Sequence, residues 1–236
     1  MLVSIITPCL NSRSTIKDTI ESVLHQSYKD IEYIIIDGGS KDGTLEIIKE
    51  YYPRFHGRMK FISEEDKGIY NAMNKGIRMC HGRLIGILNS DDCYEKNAVE
   101  KIAGNYKEGE YQVIYGYMRV MNRRRECYIC KDSHQFLLQA MIPHPTCFIS
   151  RNVYKDFGLY WEGFKLASDY EMMLRIRRTG KVGFICIPEV ITSFQRGGAS
   201  SSRRTKYEVS LIQFLYGGMT FRGFVTKIIR DIWLDL

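Results

Sequence analysis

The sequence predicts an α/β fold: a Rossmann-like, mostly parallel central sheet flanked by helices, followed by a C-terminal amphipathic helical tail. Three observations lead there. Short apolar runs at 3–7, 33–36, 60–63 and 84–88 are continuous and rich in branched residues, as in strands buried on both faces. Helical patterns separate these runs at the spacing of βαβ units. The segment 206–236 instead repeats apolar residues every three or four positions.

Val3 to Thr7 forms the first strand and stops at Pro8, which cannot donate to a central ladder. Asn11 or Ser14 caps a helix with the stripe Ile16, Ile20, Val23 and Leu24. Tyr33–Ile36 is the second strand and ends in Asp37-Gly38-Gly39-Ser40; Asp42-Gly43-Thr44 opens the next helix, which closes before Pro53. Lys60–Ser63 is the third strand, and a helix runs from about Gly68 to Met79. Leu84–Leu88 is the fourth. Beyond Asn97 the pattern changes: a helix near Ala98–Tyr106, a strand over Tyr111–Met118, an arginine-rich turn at 123–125 and a return through Cys127 to Cys130. A helix is expected around His134–Met141, a short strand over Cys147–Ile149, a helix over Ser168–Arg178 and a strand over Val182–Ile187. The boundaries that follow are one globular domain over 1–205, changing character after residue 97, and a tail over 206–236.

The 44% hydrophobic and 26% charged residues exclude wholesale disorder, and the net charge of +7 invites nucleic acid, an anionic membrane or an acidic small molecule as partner. Basic residues are scattered, without an aromatic stacking motif or recognition helix, so nucleic acid is not expected. Seven cysteines without regular spacing argue against a secreted disulfide framework, and Cys127-Tyr128-Ile129-Cys130 is a lone pair with no zinc partner pair. The amino terminus reads as a strand and not as a signal peptide, and no apolar stretch approaches the roughly 20 residues that span a bilayer. A cytoplasmic protein is expected. From Arg203 onward six Lys/Arg stand against three Asp/Glu, and Phe221, Phe224, Val225, Ile228, Ile229, Ile232 and Trp233 share one face. Such a tail suits either the inner face of an anionic membrane or packing on the domain or in a homodimer.

Four strand ends converge on one rim, which is where α/β sheets bind ligands. At that rim stands Asn89-Ser90-Asp91-Asp92. Adjacent carboxylates at the edge of a core repel each other and resist desolvation, and a hard divalent cation relieves both. The alternative is helix capping before Glu95. Gly38 and Gly39 serve either a sharp turn or a close approach of backbone to ligand. Lys67 either neutralises a phosphate or is solvated, and the helix start at Gly68 exposes N–H groups to an anion.

Taken in order, four segments resemble family 2 glycosyltransferases: Ile5-Ile6-Thr7-Pro8-Cys9-Leu10-Asn11, Ile36-Asp37-Gly38-Gly39-Ser40-Lys41-Asp42-Gly43-Thr44, Asn89-Ser90-Asp91-Asp92 and Ala167-Ser168-Asp169-Tyr170-Glu171. The resemblance covers about two hundred residues and implies the GT-A fold, with 1–97 as the nucleotide-binding half and 98–205 as the acceptor-binding half. It implies an inverting, metal-dependent transfer from a UDP- or GDP-sugar to a saccharide or lipid-linked acceptor of the bacterial surface-polysaccharide type. Under it, Thr7, Pro8, Asn11, Asp37, Gly39, Asp66, Lys67, Asn89, Ser90 and Asp91 bind the donor nucleotide, with Asp37 accepting a base N–H and Asn74 near the sugar. Asp91 and Asp92 hold Mn²⁺ or Mg²⁺. Asp169 is the catalytic base, at a helix start whose dipole favours its charge, with N-capping and Glu171 as base as the alternatives. His144, Ser168 and Arg196 belong to the acceptor mouth or to a lid over 194–202. Three positions depart from the family pattern: Asn89 stands for Asp, Ser168 for Glu and Gly197 for His. Those departures leave a catalytically impaired sugar-nucleotide-binding protein as an alternative; a sugar nucleotidyltransferase would need a phosphate loop richer than the single Arg13 after the first strand.

Overall fold

Residues 1–123, 125–197 and 202–233 are described by a computed structural model, and their elements keep the expected order. The strands are β1 (Val3–Cys9), β2 (Ile31–Asp37), β3 (Met59–Ser63), β4 (Leu84–Ile87), β5 (Cys93–Tyr94), β6 (Gln112–Asn122), β7 (Arg125–Cys130), β8 (Phe148–Ser150) and β9 (Gly183–Gln195). The helices are α1 (Ile16–Leu24), α2 (Thr44–Tyr51), α3 (Ile69–Met79), α4 (Ala98–Gly104), α5 (Arg151–Phe157), α6 (Ser168–Arg178), α7 (Arg203–Leu215) and α8 (Phe221–Trp233).

The strands form one sheet in the order β3-β2-β1-β4-β8-β6-β9-β5, with β7 added to β6. β1 pairs in parallel with β2 and β4, and β2 with β3, while β8 runs antiparallel between β4 and β6. Every residue of β1, β2 and β4 is buried, because helices cover both faces. Alternation sends Ile5, Tyr33 and Ile35 into one core and Ile6, Ile34 and Ile36 into the other. The chain winds from β1 to β3 in one direction and resumes at β4 on the other side of β1. A crevice therefore opens at the carboxyl ends of β1 and β4.

Helix α3 lies unusually close to β1. A Cβ on Gly76 would come within 2.5 Å of Ile6 Cγ2, so only glycine permits this approach, which holds the first turn of α3 over the strand ends.

Three expectations change. The helix foreseen over 134–141 is a single 3₁₀ turn, His134–Phe136. Phe136 is 61% exposed there and Leu137 alone is fully buried, so the segment lacks a stripe long enough to pack a helix. The strand foreseen over 182–187 continues to Gln195 as β9, because β6 offers it a parallel partner throughout. Pro188 is accommodated where the register shifts between Gly116 and Tyr117, a place without a ladder bond to lose. The boundary at 205/206 cuts through α7, which is part of the globular body: Ser210 and Ile212 are wholly buried, and Tyr216 donates to Glu171 at 2.6 Å.

Glu208 is the main attachment of α7. Its carboxylate accepts the backbone N–H groups of Lys165 (3.0 Å), Leu166 (2.8 Å) and Ala167 (3.1 Å), and Arg204 Nε at 3.0 Å. It thereby fills the anion position at the amino end of α6. Burial pushes this carboxyl up, but those backbone donors and Arg204 outweigh it and hold it below the usual range. Because the folded-state value is lowered, the stabilisation is present above the unfolded carboxyl value and is lost as pH falls through the folded one. Glu208→Ala is expected to cost about 2 kcal/mol at pH 7, and less below pH ~4. Thermal melts of both chains across that range check it; a constant difference in stability would be the contrary result.

Candidate functional site

The crevice is a cavity of about 680 Å³, within the roughly 300–1,000 Å³ of small-molecule sites. Its walls come from the loop after β1 (Pro8 to Thr15), Gly38, Asp66, the start of α3 (Gly68 to Met73), Asn89-Ser90-Asp91, His144, Lys165, Leu166, Asp169 and Phe194. Hydrogen bonds shape the floor. Asn11, with left-handed φ of 51°, donates its backbone N–H to Ser40 Oγ (2.7 Å) and accepts Lys41 N–H on Oδ1 (2.9 Å). Ser12 reaches Ser90, hydroxyl to hydroxyl, at 2.7 Å, joining the β1 loop to the loop after β4.

The acidic groups differ sharply in surroundings. Asp37 is wholly buried; its oxygens accept the Ser40 hydroxyl, Ser40 N–H (3.1 Å) and Ser63 Oγ (2.6 Å). Asp92 is also wholly buried, accepting Gln195 N–H at 3.2 Å and Asn89 Nδ2 at 3.3 Å. Burial, and then the Asp91 charge, push its carboxyl well above the usual range, which favours the neutral form. Asp91 borders the cavity, and burial raises it too. Asp66 pairs with Lys75 Nζ at 2.5 Å. Asp169, in the first turn of α6, borders the cavity and accepts the Tyr70 hydroxyl on Oδ1 at 2.8 Å. His144 is buried with Nδ1 4.0 Å from Asp169 Oδ2, and burial lowers its value against the opposing pull of that carboxylate, so it is neutral at pH 7.

Comparison with known proteins places this arrangement. Residues 4–158 match the sequence family described as Glycosyl transferase family 2. The chain belongs to that family. Chondroitin synthase of Escherichia coli is 32% identical over 200 residues, covering 80% of this chain but 29% of the synthase. An uncharacterized glycosyltransferase of Rickettsia typhi is 27% identical over 231 residues, covering 91% of this chain and 71% of that protein. Among solved structures, residues 1–349 of S. aureus TarS with UDP-GlcNAc superpose with a TM-score of 0.73 at 19% identity, covering 92% of this chain and 66% of that one. The mannosyltransferase PcManGT from Pyrobaculum calidifontis with GDP-Man and Mn²⁺ gives 0.61 at 19% identity, covering 97% and 64%. The fold is thus the GT-A type. This chain spans under a third of chondroitin synthase and 39% of the longer TarS chain.

Of the residues expected from the family 2 motifs, the structure brings Pro8, Asn11, Asp66, Asn89, Ser90, Asp91, His144 and Asp169 to one cavity. Others lie elsewhere. Thr7 is core, bonded hydroxyl to hydroxyl with Tyr33 at 2.9 Å. Asp37 is enclosed by its serines and organises the turn in which Gly39 adopts φ +83°, while Gly38 is the glycine at the cavity: a Cβ there would stand 3.3 Å from Asp66 Oδ2. Lys67 is exposed and away from the cavity walls, where Lys165 is the lining cation among the described residues. Asp92 is wholly buried and is not among the cavity walls, whereas Asp91 is. Asn74 is buried, exchanging hydrogen bonds with the Tyr160 backbone (2.9 and 3.1 Å) instead of reaching the rim. Ser168 is buried with its hydroxyl unpartnered among the described residues. Glu171 is buried and engaged by Arg175 and Tyr216, which leaves no room for a base. Arg196 is exposed at the end of β9 and outside the cavity walls; the remainder of the expected lid, 198–201, lies outside the described residues.

Tyr70 and Met73 were not foreseen as site residues, while Phe194 belongs to the segment expected as a lid. The signal for Tyr70 was its place in the first turn of a helix that follows a strand end.

The unequal burial of the two aspartates makes a prediction. Asp92→Asn, at a position enclosed away from the cavity walls, is expected to keep folding and to lower turnover of a nucleotide-sugar donor less than about tenfold, whereas Asp91→Asn, at the cavity wall, lowers it roughly hundredfold or more. Equal losses in steady-state turnover would contradict the assignment.

Proposed function

We propose that this chain is an inverting, divalent-cation-dependent glycosyltransferase that moves a sugar from a UDP- or GDP-sugar to a hydroxyl of a saccharide acceptor, carried on a lipid in surface-polysaccharide synthesis. One observation carries this reading: Asp91 and Asp169, two carboxylates from different elements, open onto one cavity at the switch point of the sheet. The names of similar proteins support it, since TarS has been seen with UDP-GlcNAc and PcManGT with GDP-Man and Mn²⁺.

The donor set fits a hard cation. Asp91 offers a cavity-facing carboxylate, and Asn89 Oδ1 beside it is buried and unpartnered among the described residues. Asp91 and Asn89 are the residues that would hold such an ion. When bound, Mn²⁺ or Mg²⁺ would supply Lewis acidity to the departing diphosphate. Pro8, Asn11, Gly38 and Asp66 line the cavity and would border the nucleotide, and Lys165 adds positive charge to that cavity. Asp169 takes the proton of the acceptor hydroxyl as its oxygen attacks the anomeric carbon, and the bond to the diphosphate breaks on the opposite face.

The test is a panel of UDP- and GDP-sugars with Mn²⁺, Mg²⁺ or EDTA, reading nucleotide release. Release is expected from one nucleotide series, abolished by EDTA and lowered about 10²- to 10⁴-fold by Asp169→Asn. Metal-independent release, or full activity in Asp169→Asn, would refute the mechanism.

Association with an anionic inner membrane surface is part of the proposal. α8 docks on α7 through Phe214, which stacks on Phe224 (5.3 Å) and lies tilted against Phe221 (5.9 Å), while Phe221, Val225 and Ile229 keep much of their surface exposed along one stripe, flanked by Arg222. No helix among the described residues is long and apolar enough to cross a membrane. Phe221→Ser with Ile229→Ser is expected to weaken binding to phosphatidylglycerol vesicles on the order of tenfold. Unchanged flotation would point to a protein partner instead.

A further inference from the structure

Asp169 is held by neutral groups. Tyr70 from α3 donates to Oδ1 at 2.8 Å, and Tyr70 is itself 95% enclosed at 5% exposure. Its ring leans on Tyr160, centroids 5.6 Å apart at 35°, and Tyr160 is fixed by backbone hydrogen bonds to Asn74 on the same helix as Tyr70. On the other side His144 faces Oδ2 and bonds Tyr160 OH through Nε2 at 3.1 Å. Tyr160 in turn meets Tyr154 OH at 3.3 Å. Burial, and then the Asp169 charge, push the Tyr70 phenol well above its ordinary value, so it remains a donor at any working pH.

From this geometry we infer that Tyr70 is a positioning residue for the transfer: it commits Oδ1 of Asp169, so that Oδ2 is the oxygen left to take the acceptor proton. The inference rests on Asp169 being the base. A carboxylate free to rotate about its last torsion presents either oxygen at varying angles; a buried phenol on one oxygen fixes the plane and the direction of the other. The phenol does not touch the reacting atoms. Asn74 acts one step further out, holding Tyr160 against the Tyr70 ring. This gives Asn74, which does not reach the cavity, a part in the same device.

The experiment compares the parent chain with Tyr70→Phe, Tyr154→Phe and Asp169→Asn, using the fastest donor of the UDP- and GDP-sugar panel and reading kcat and donor KM for nucleotide release. Tyr70→Phe is expected to lower kcat roughly tenfold to hundredfold with donor KM within about twofold of the parent, because the ring that lines the cavity is kept and only its hydroxyl is removed. Tyr154→Phe removes a buried hydroxyl at the far end of the same chain of rings and reports the structural cost alone, as a lowered melting temperature with kcat retained. Parental kcat in Tyr70→Phe beside an inactive Asp169→Asn would overturn the positioning role and leave the base intact. Parental kcat in Asp169→Asn would overturn the base itself. Equal falls in kcat for Tyr70→Phe and Tyr154→Phe would reduce Tyr70 to a packing residue.

Discussion

A carboxylate at the edge of a parallel sheet must be hydrogen-bonded, neutralised or open to solvent, because its desolvation is otherwise too costly. Most of this structure is arranged by that requirement. Glu32 on β2 accepts Ser4 Oγ at 2.5 Å and Gly82 N–H at 3.0 Å, binding β1 and β2 to the turn before β4. Asp37 is satisfied by Ser40 and Ser63, Asp92 by Gln195 and Asn89, and Glu208 by three backbone donors. Each satisfied carboxylate draws two or more elements together. Among the described residues, Asp66, Asp91 and Asp169 are the acidic groups that border the cavity, and of these Asp66 is paired with Lys75.

The same requirement links the distant parts of the chain. Glu208 on α7 sets the path of 165–167, which fixes where α6 begins and so where Asp169 stands. From the opposite side, Gly76 lets α3 settle against β1, and the first turn of α3 delivers Tyr70 to that same aspartate. Asp169 is therefore placed jointly by α7 and α3. α7 is part of the support around Asp169, while α8 beyond it touches the body through Phe221, Phe224 and Lys227 and keeps an outward apolar stripe.

The strands and helices of the first half were legible because burial on both faces imposes continuous apolar runs, and Ile5, Ile35 and Ile87 carry that signal without regard to what they contact. The convergence of Pro8, Asp66, Asp91 and Asp169 was legible from topology and motif order. Orientation was not. Nothing in Asn89-Ser90-Asp91-Asp92 says that the second aspartate turns inward, since that depends on the Gln195 N–H over a hundred residues away. Thr7 shares this fate: strand alternation alone does not reveal that Tyr33 offers it a hydroxyl in the core. Residues 134–141 misled for another reason, since a helical composition without a partner surface yields a single turn.

Two departures from the family 2 motifs have a structural account in the same terms. Asn89 stands where the pattern has Asp, and its amide donates to the buried Asp92. An ionised Asp at 89 would accept and not donate, placing a third carboxylate against one whose charge is already disfavoured by burial. Ser168 stands where the pattern has Glu. There the amino end of α6 receives its negative charge from Glu208, delivered by α7 onto 165–167, so a second carboxylate in the buried Ser168 position would repel the one that holds the loop. Both substitutions remove a charge from a place where another acid already does the bonding, and neither touches the oxygens of Asp91 or Asp169. Their effect falls on the frame around Asp91 and Asp169.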